Sequence, residues 1–153
     1  MPGIRRLSPV VLLASLVLAM MWSSVAQARA MVSIARENVN MRAGAGTRSE
    51  ALWGLSRGYP LEVVGRRGNW LRVSDFERDK GWVLRSLTSR TPHHVVKARV
   101  ANLRAAPTAR SRIVGKALHG EVLRTLGKRS GWVQVRDTGG RSGWVASRLL
   151  WGW

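Results

Sequence analysis

The sequence predicts an all-β protein: two small β-barrels in tandem, preceded by a cleavable helical signal peptide. Three observations carry this expectation. An apolar run fills most of the first 28 residues and then stops. The remainder is one pattern written twice, at a constant offset of 62 residues. Within each copy, short runs of β-formers alternate with turn residues, and no stretch shows a helical period.

The leader spans residues 1–28. Arg5 and Arg6 form a basic n-region, and Val10 to Trp22 form an apolar h-region broken only by Ser15. Ala26-Gln27-Ala28 supplies the small residues that signal peptidase requires, and Ala28-Arg29-Ala30 offers a second frame. The h-region is short for a membrane-spanning helix, so the expectation is cleavage with no stable span afterwards; an uncleaved anchor is the competing reading. Arg5-Arg6 is a twin arginine whose surroundings fit the Tat pattern poorly, which points to general secretion and a secreted or periplasmic location.

The repeat needs no gap. Asn40-Met41-Arg42-Ala43 recurs as Asn102-Leu103-Arg104-Ala105, Trp70-Leu71-Arg72-Val73 as Trp132-Val133-Gln134-Val135, and Gly81-Trp82-Val83 as Gly143-Trp144-Val145. The units run over residues 32–90 and 95–153, joined by Thr91-Pro92-His93-His94, a linker too short to be a long tether. Val39-Asn40-Met41 reads as an extended piece before a small-residue loop, Gly44 to Thr47, matched by Ala106-Pro107-Thr108. Leu61 to Val64 reads as a strand stopping at Gly65, and Val122 to Leu126 as one stopping at Gly127. Trp70 to Val73 and Gly81 to Val83 follow with their copies, and Thr138-Gly139-Gly140 is a hairpin-turn signal. Several short strands in about 60 residues suggest a small barrel.

These pieces resemble the bacterial SH3 (SH3b, SH3-like) family. The resemblance rests on Val39 to Gly46, Gly58 to Val64, Gly68 to Val73 and Gly81 to Leu87. The second copy supplies Ala101 to Pro107, Gly120 to Leu126, Ser130 to Val135 and Gly143 to Leu149. Gly44-Ala45 stands where Gly-Pro is usual, and Ala106-Pro107 lacks the Gly. The resemblance implies SH3-like barrels acting as extracytoplasmic binding or targeting modules, many of them attached to cell-wall hydrolases and thought to hold the protein on peptidoglycan or other envelope components.

Composition limits the chemistry. The 153-residue chain has 26 Lys and Arg against 8 Asp and Glu, a net charge of +18, with 8 Trp and no Cys. The lack of Cys excludes a disulfide framework, a thiolate metal site and a cysteine nucleophile. His93 and His94 read as polar linker residues, since no carboxylate pair completes a ligand set, and His119 replaces an ordinary polar residue, Arg57. No Ser stands in a nucleophile elbow and no phosphate-cradling Gly loop is present. Asp75 and Asp137 recur, in an Asx-turn context rather than that of a general base. The expectation is a protein that is not an enzyme and has no cofactor and no metal.

The aromatics divide. Trp70, Trp82, Trp132 and Trp144 repeat and, with Gly81 and Gly143, read as fold-defining, packing in the core and between strands; a stacking surface is the other reading. Trp53, Tyr59, Phe76, Trp151 and Trp153 align with Gly115, Glu121, Thr138, Ser89 and Thr91, so each occurs in one copy alone. They are candidates for contact with a ligand or between the units. Residues 33–91 carry a net charge of +5 and residues 92–153 a net of +10, so the second unit is the stronger anion binder, with Arg124, Lys128 and Arg129 as further candidates.

The leading expectation is a secreted, non-enzymatic module contacting peptidoglycan or another anionic envelope polymer. An envelope protein adaptor for acidic peptide partners is the alternative. Nucleic-acid binding, suggested by Arg interleaved with Trp, is opposed by the signal peptide, so no nucleic-acid partner is expected.

Overall fold

The computed structural model describes residues 28–153, so the leader expected over residues 1–28 lies outside the described residues apart from Ala28. Unit 1 consists of β1 (Met31–Ile34), β2 (Val39–Arg42), β3 (Ala51–Leu55), β4 (Pro60–Arg67), β5 (Trp70–Ser74) and β6 (Lys80–Leu84), then a 3-10 turn (Arg85–Leu87) and β7 (Thr88–Ser89). Unit 2 repeats this as β8 (His93–Val96), β9 (Val100–Arg104), β10 (Ile113–Leu118), β11 (Val122–Arg129), β12 (Trp132–Arg136) and β13 (Ser142–Ala146), a 3-10 turn (Ser147–Leu149) and β14 (Leu150–Gly152). The strand orders are β3-β2-β6-β5-β4-β1-β7 and β10-β9-β13-β12-β11-β8-β14, all antiparallel. The chain is thus the tandem all-β pair that the repeat predicts. Among the described residues no helix is long and apolar enough to cross a membrane.

Strand parity decides what each barrel buries. In β5, Leu71 and Val73 point inward and Arg72 outward; in β6, Gly81 and Val83 are buried while Trp82 and Leu84 are half-exposed. The cores are aliphatic. Ile34, Val39, Met41, Leu55, Leu61, Leu71, Val73 and Val83 fill unit 1. Val96, Ala101, Leu103, Ala117, Leu123, Val133, Val135, Val145 and Leu150 fill unit 2. Each fully buried Leu or Val contributes roughly 1.5–3 kcal/mol.

The four repeated tryptophans are not part of either core. Trp70, Trp82, Trp132 and Trp144 lie half-buried on the outer side of their strands, because the alternation that buries Val83 and Val145 turns the preceding indole outward. The part of the expectation that survives is packing between strands. Trp82 stands across from Arg42 and Arg72, and the Arg67 guanidinium lies 5.4 Å from its ring centroid, a cation–π contact. Trp144 stands between Arg104 and Gln134.

Gly81 and Gly143 allow the close approach of strands that closes each barrel. A Cβ on Gly81 would lie 2.5 Å from Met41 Cγ and 3.0 Å from the Arg42 carbonyl oxygen. On Gly143 it would lie 2.9 Å from Leu103 Cβ. Gly65 and Gly127 do not stop their strands, as the sequence suggests they would. β4 runs on to Arg67 and β11 to Arg129, each through a register shift between Val63 and Gly65 or between Thr125 and Gly127. The bulge leaves Val64 and Leu126 exposed and bends the long strand so that the sheet can close.

A second correction concerns the linker. His93 and His94 belong to β8, paired with both β11 and β14, so the chain between the sheets shrinks to Arg90-Thr91-Pro92. The polar pair hides a strand in which Val95 and Val96 are both fully buried, Val96 in the unit 2 core.

Gly81→Ala is expected to lower stability by about 1–3 kcal/mol in denaturant unfolding, by overpacking against Met41 and the Arg42 backbone. Gly54→Ala on β3, where a Cβ meets nothing within 4 Å, is expected to leave the midpoint unchanged or slightly raised. Equal losses for the two would overturn this account of Gly81.

Candidate functional site

Unit 2 carries a groove between the end of its small-residue loop, the tight turn before its Trp strand and its 3-10 turn, and unit 1 has a smaller space against the matching tight turn and 3-10 turn. In unit 2 the groove measures about 570 Å³ and is lined by Asn102, Arg104, Trp132, Ala146, Ser147 and Arg148, among others. In unit 1 the same place measures about 430 Å³, against Asn69, Leu84, Arg85 and Ser86. These four are the 62-residue counterparts of Gly131, Ala146, Ser147 and Arg148. Three positions are smaller in unit 2, which opens the space. The fourth, Arg148 for Ser86, places a guanidinium at the rim.

The groove walls are fixed by local chemistry. The Arg104 Nη1 donates to the Ser111 carbonyl at 2.8 Å, and Arg42 Nη1 does the same to the Ser49 carbonyl at 2.8 Å. The Arg of the Asn-apolar-Arg motif therefore straps down its loop in both units, and in unit 2 it also lines the groove. Ser111 Oγ accepts from the Ala106 amide at 2.8 Å. The turn opposite is forced by Ser130 (φ 40°) and Gly131 (φ 84°), which aim Trp132 into the cavity wall. Trp132 offers a flat apolar face, Asn102 an amide, and Arg104 and Arg148 paired cationic donors. That set can hold a sugar or peptide carrying an anionic group.

The candidates that occur in one unit alone scatter over three places. Trp53, 54% exposed, stands with Leu52, 38% exposed, on β3, an edge strand away from the groove. Tyr59 packs against the unit 1 core, where burial, and behind it the carboxylates of Asp75, Glu77 and Asp79, push its hydroxyl above the usual tyrosine range. Phe76 and Trp153 sit at the seam between the units. Phe76 meets the His119 ring edge-on at 5.4 Å, and Trp153 Nε1 donates to Ser33 Oγ at 3.3 Å. Trp151 pairs with Val95 across β14 and β8. Of the basic candidates, Lys128 donates to the Trp153 carbonyl, Arg124 stands across from His93 and Arg136, and Arg129 across from Trp132. None of these eight lines the unit 2 groove.

The residues that do line it are ones the sequence reading passed over or gave to the fold. Asn102 and Arg104 were legible only as family motif, Trp132 as packing, and Arg148 not at all. The signal that could have found Arg148 is the repeat itself, since Ser86→Arg148 is a change from neutral to charged at a matched position.

The seam is polar and buried. Ser33 Oγ donates to the Thr91 carbonyl at 2.8 Å. His93 Nδ1 lies 2.9 Å from that carbonyl and 3.2 Å from Ser33 Oγ. A carbonyl only accepts, so the His93 proton resides on Nδ1. Gly58, with φ 82°, turns the chain where a Cβ would stand 2.8 Å from the His93 ring and 3.1 Å from Val122. Behind it, His94 is only 4% exposed, with Nδ1 2.6 Å from Thr125 Oγ1. Asp75 and Asp137 are turn formers: Asp75 Oδ1 accepts from the Glu77 and Asp79 amides at 2.9 Å each, and Asp137 Oδ1 from the Arg141 amide at 2.8 Å.

Residues 35–90 and residues 99–150 each match the bacterial SH3 domain. The chain belongs to the bacterial SH3 domain family. Bacterial SH3 domains are binding modules. Over 125 residues the chain is 22% identical to "Putative N-acetylmuramoyl-L-alanine amidase YrvJ" of Bacillus subtilis (strain 168), an alignment taking in 74% of this chain and 24% of that one. The chain therefore spans about a quarter of that relative's length. Among solved structures it is similar to NlpC2 from Trichomonas vaginalis, at 13% identity and a TM-score of 0.36, over 82% of this chain and 48% of that one. It is also similar to an NlpC/P60 family protein from Bacillus cereus ATCC 10987, at 12% identity and a TM-score of 0.37, over 80% and 56%. Likenesses this loose carry no functional argument.

Burial, with Lys128 nearby, pushes the His94 imidazole down to about 4. The unfolded chain binds that proton near pH 6.5 and the folded chain does not, so stability is full above pH 6.5 and falls as the pH drops toward 4. The loss is expected to reach roughly 3 kcal/mol. His94→Val, which installs the counterpart residue of Val32, is expected to flatten that part of the pH–stability curve. A variant curve parallel to that of the native protein would refute the assignment.

Proposed function

We propose that this pair of bacterial SH3 domains is a non-enzymatic, secreted or periplasmic binding module, and that the unit 2 groove takes peptidoglycan or another anionic envelope polymer. The observation that carries this is the comparison of the two grooves. Residues at matched positions shrink from Asn69, Leu84 and Arg85 to Gly131, Ala146 and Ser147, and one gains charge, from Ser86 to Arg148. A barrel needs none of these changes, because unit 1 folds without them. Trp132 beside Arg104 and Arg148 suits a ligand that alternates sugar faces with carboxylates or phosphates. The relative named for an amidase supports an envelope setting, and an export signal over residues 1–28 would deliver the chain there.

A protein-interaction reading has one specific support, the edge strand β3 with Leu52 and Trp53 exposed, to which an extended acidic peptide could add a strand. Crosslinking in envelope extracts that recovers no partner through β3 would remove it.

Co-sedimentation with purified sacculi tests the leading reading. The native protein is expected in the pellet at low salt and partly released as salt rises. Arg148→Ser and the groove-filling pair Ala146→Leu/Ser147→Arg carry residues that unit 1 already tolerates, and each is expected to weaken retention about tenfold. Native protein remaining in the supernatant at low salt would overturn the proposal.

A further inference from the structure

Beside the groove, the molecule has a second basic feature that neither unit possesses alone. On the unit 1 side of the seam, a cavity of about 390 Å³ is walled by Arg66, Arg85 and Arg90. On the unit 2 side, a cavity of about 330 Å³ is walled by Lys97 and Lys128. Arg29 and Trp153 line both, so the two spaces adjoin across the Trp153 side chain. The cavities are the same place on each barrel, since Arg66 and Lys128, Leu71 and Val133, and Arg85 and Ser147 are counterparts. The connection Arg90-Thr91-Pro92 brings the two copies of that place together.

The charge there is one-sided. Arg29, Arg66, Arg85, Arg90, Lys97 and Lys128 face the two spaces, and no Asp or Glu lines either. Arg29, Arg66, Arg85, Arg90 and Lys97 have no Asp or Glu partner among the described residues, while Lys128 donates to the main-chain oxygen of Trp153; His119 Nε2 stands 3.6 Å from Glu77 Oε1 elsewhere on the seam. Trp153 is held in the middle by its hydrogen bond to Ser33 and by Lys128 on its carbonyl. Five unpaired cations around one cleft repel one another, and a polyanion relieves that repulsion while releasing counterions. Four of the six are arginines, whose planar forks take carboxylate or phosphate in bidentate pairs. The ring between the two charge clusters gives a stacking face for the apolar side of a sugar.

We propose that the seam is a composite site for an acidic glycan, with anionic groups bound on both sides and a sugar ring against Trp153. The occupant is a polymer with repeated anionic groups rather than a single small anion, because the cations form two clusters separated by an aromatic side chain. This site is separate from the unit 2 groove, with which it shares Ser147 as a lining residue.

Isothermal titration of the full chain with short oligogalacturonate, phosphorylated dextran and neutral dextran tests it. The first two probes separate carboxylate from phosphate as the preferred group. Preference for either acidic glycan over neutral dextran is expected. Arg66→Ala/Arg90→Ala, both exposed positions, is expected to weaken binding about tenfold or more and to lower its salt dependence, with melting unchanged, and Lys97→Ala/Lys128→Ala, which also frees the Trp153 carbonyl, is expected to weaken binding at least as much. Arg148→Ser is expected to leave this binding intact while it weakens sacculus retention, so the groove and the seam can fail independently. Equal affinity for neutral dextran, or binding unchanged in both double variants, would overturn the proposal. So would tight binding of single-stranded oligothymidylate with neither acidic glycan bound, which would reassign the seam to nucleic acid.

Discussion

One buried hydroxyl ties the two barrels together. Ser33 Oγ, fully enclosed, bonds to the Thr91 carbonyl on the connecting chain, lies against the His93 imidazole and receives the Trp153 indole proton. Its counterpart in unit 2 is Val95, buried in the ordinary way. A Val at position 33 would leave the half-buried Trp153 indole N–H without that partner and the His93 imidazole with the Thr91 carbonyl alone. The polar residue on an otherwise apolar strand therefore belongs to the pair of units, not to the barrel that contains it. The Gly58 turn, the His93 ring and the Trp153 clip all assume that the neighbouring unit lies where this hydroxyl holds it.

Because the chain carries the same architecture twice, each unit serves as a control for the other. Positions that agree report what the barrel requires: Gly81 and Gly143 for strand approach, Arg42 and Arg104 for the loop strap, Asp75 and Asp137 for the turn. Positions that differ report what has been added. They include the residues that knit the seam and the residues that widen and charge one groove. The tryptophans illustrate the division. The indoles that repeat stand on the outer face beside arginines, and two of those that do not repeat, Trp151 and Trp153, gather where β14 passes β8.

Much of the fold was legible because the repeat exposes it: matching Gly, Trp and Val positions mark strands even where each is too short to stand out. The misreadings share a cause. β8 was hidden by His93-His94, since polarity in a short run looks like a loop until the pairing strands are known. β4 and β11 outlast Gly65 and Gly127 because a bulge uses a glycine inside a strand as readily as a turn uses it outside. The site was less legible. Phe76 and Trp153 stood out as unmatched; Phe76 lies against His119 and Trp153 against Ser33. Arg148 and Ala146 did not stand out, because a groove is made by the side chains that are missing as much as by those present, and small residues attract no notice in a sequence.

The seam has a consequence for assembly. It joins unlike faces, the Gly58 side of unit 1 to the β8 side of unit 2, and a head-to-tail junction of this kind does not close on itself. Were the repeats identical, the Gly120 side of unit 2, where a Cβ would meet only open space, could receive the first strand of another molecule, and so on into a filament. At the matched positions Val95, fully buried, stands in place of Ser33, and Thr138 in place of Phe76. The Gly120 side lacks both the hydroxyl hub and the aromatic partner that the junction uses. The substitutions that join the two units once are thus not repeated at the place where a further copy would have to dock.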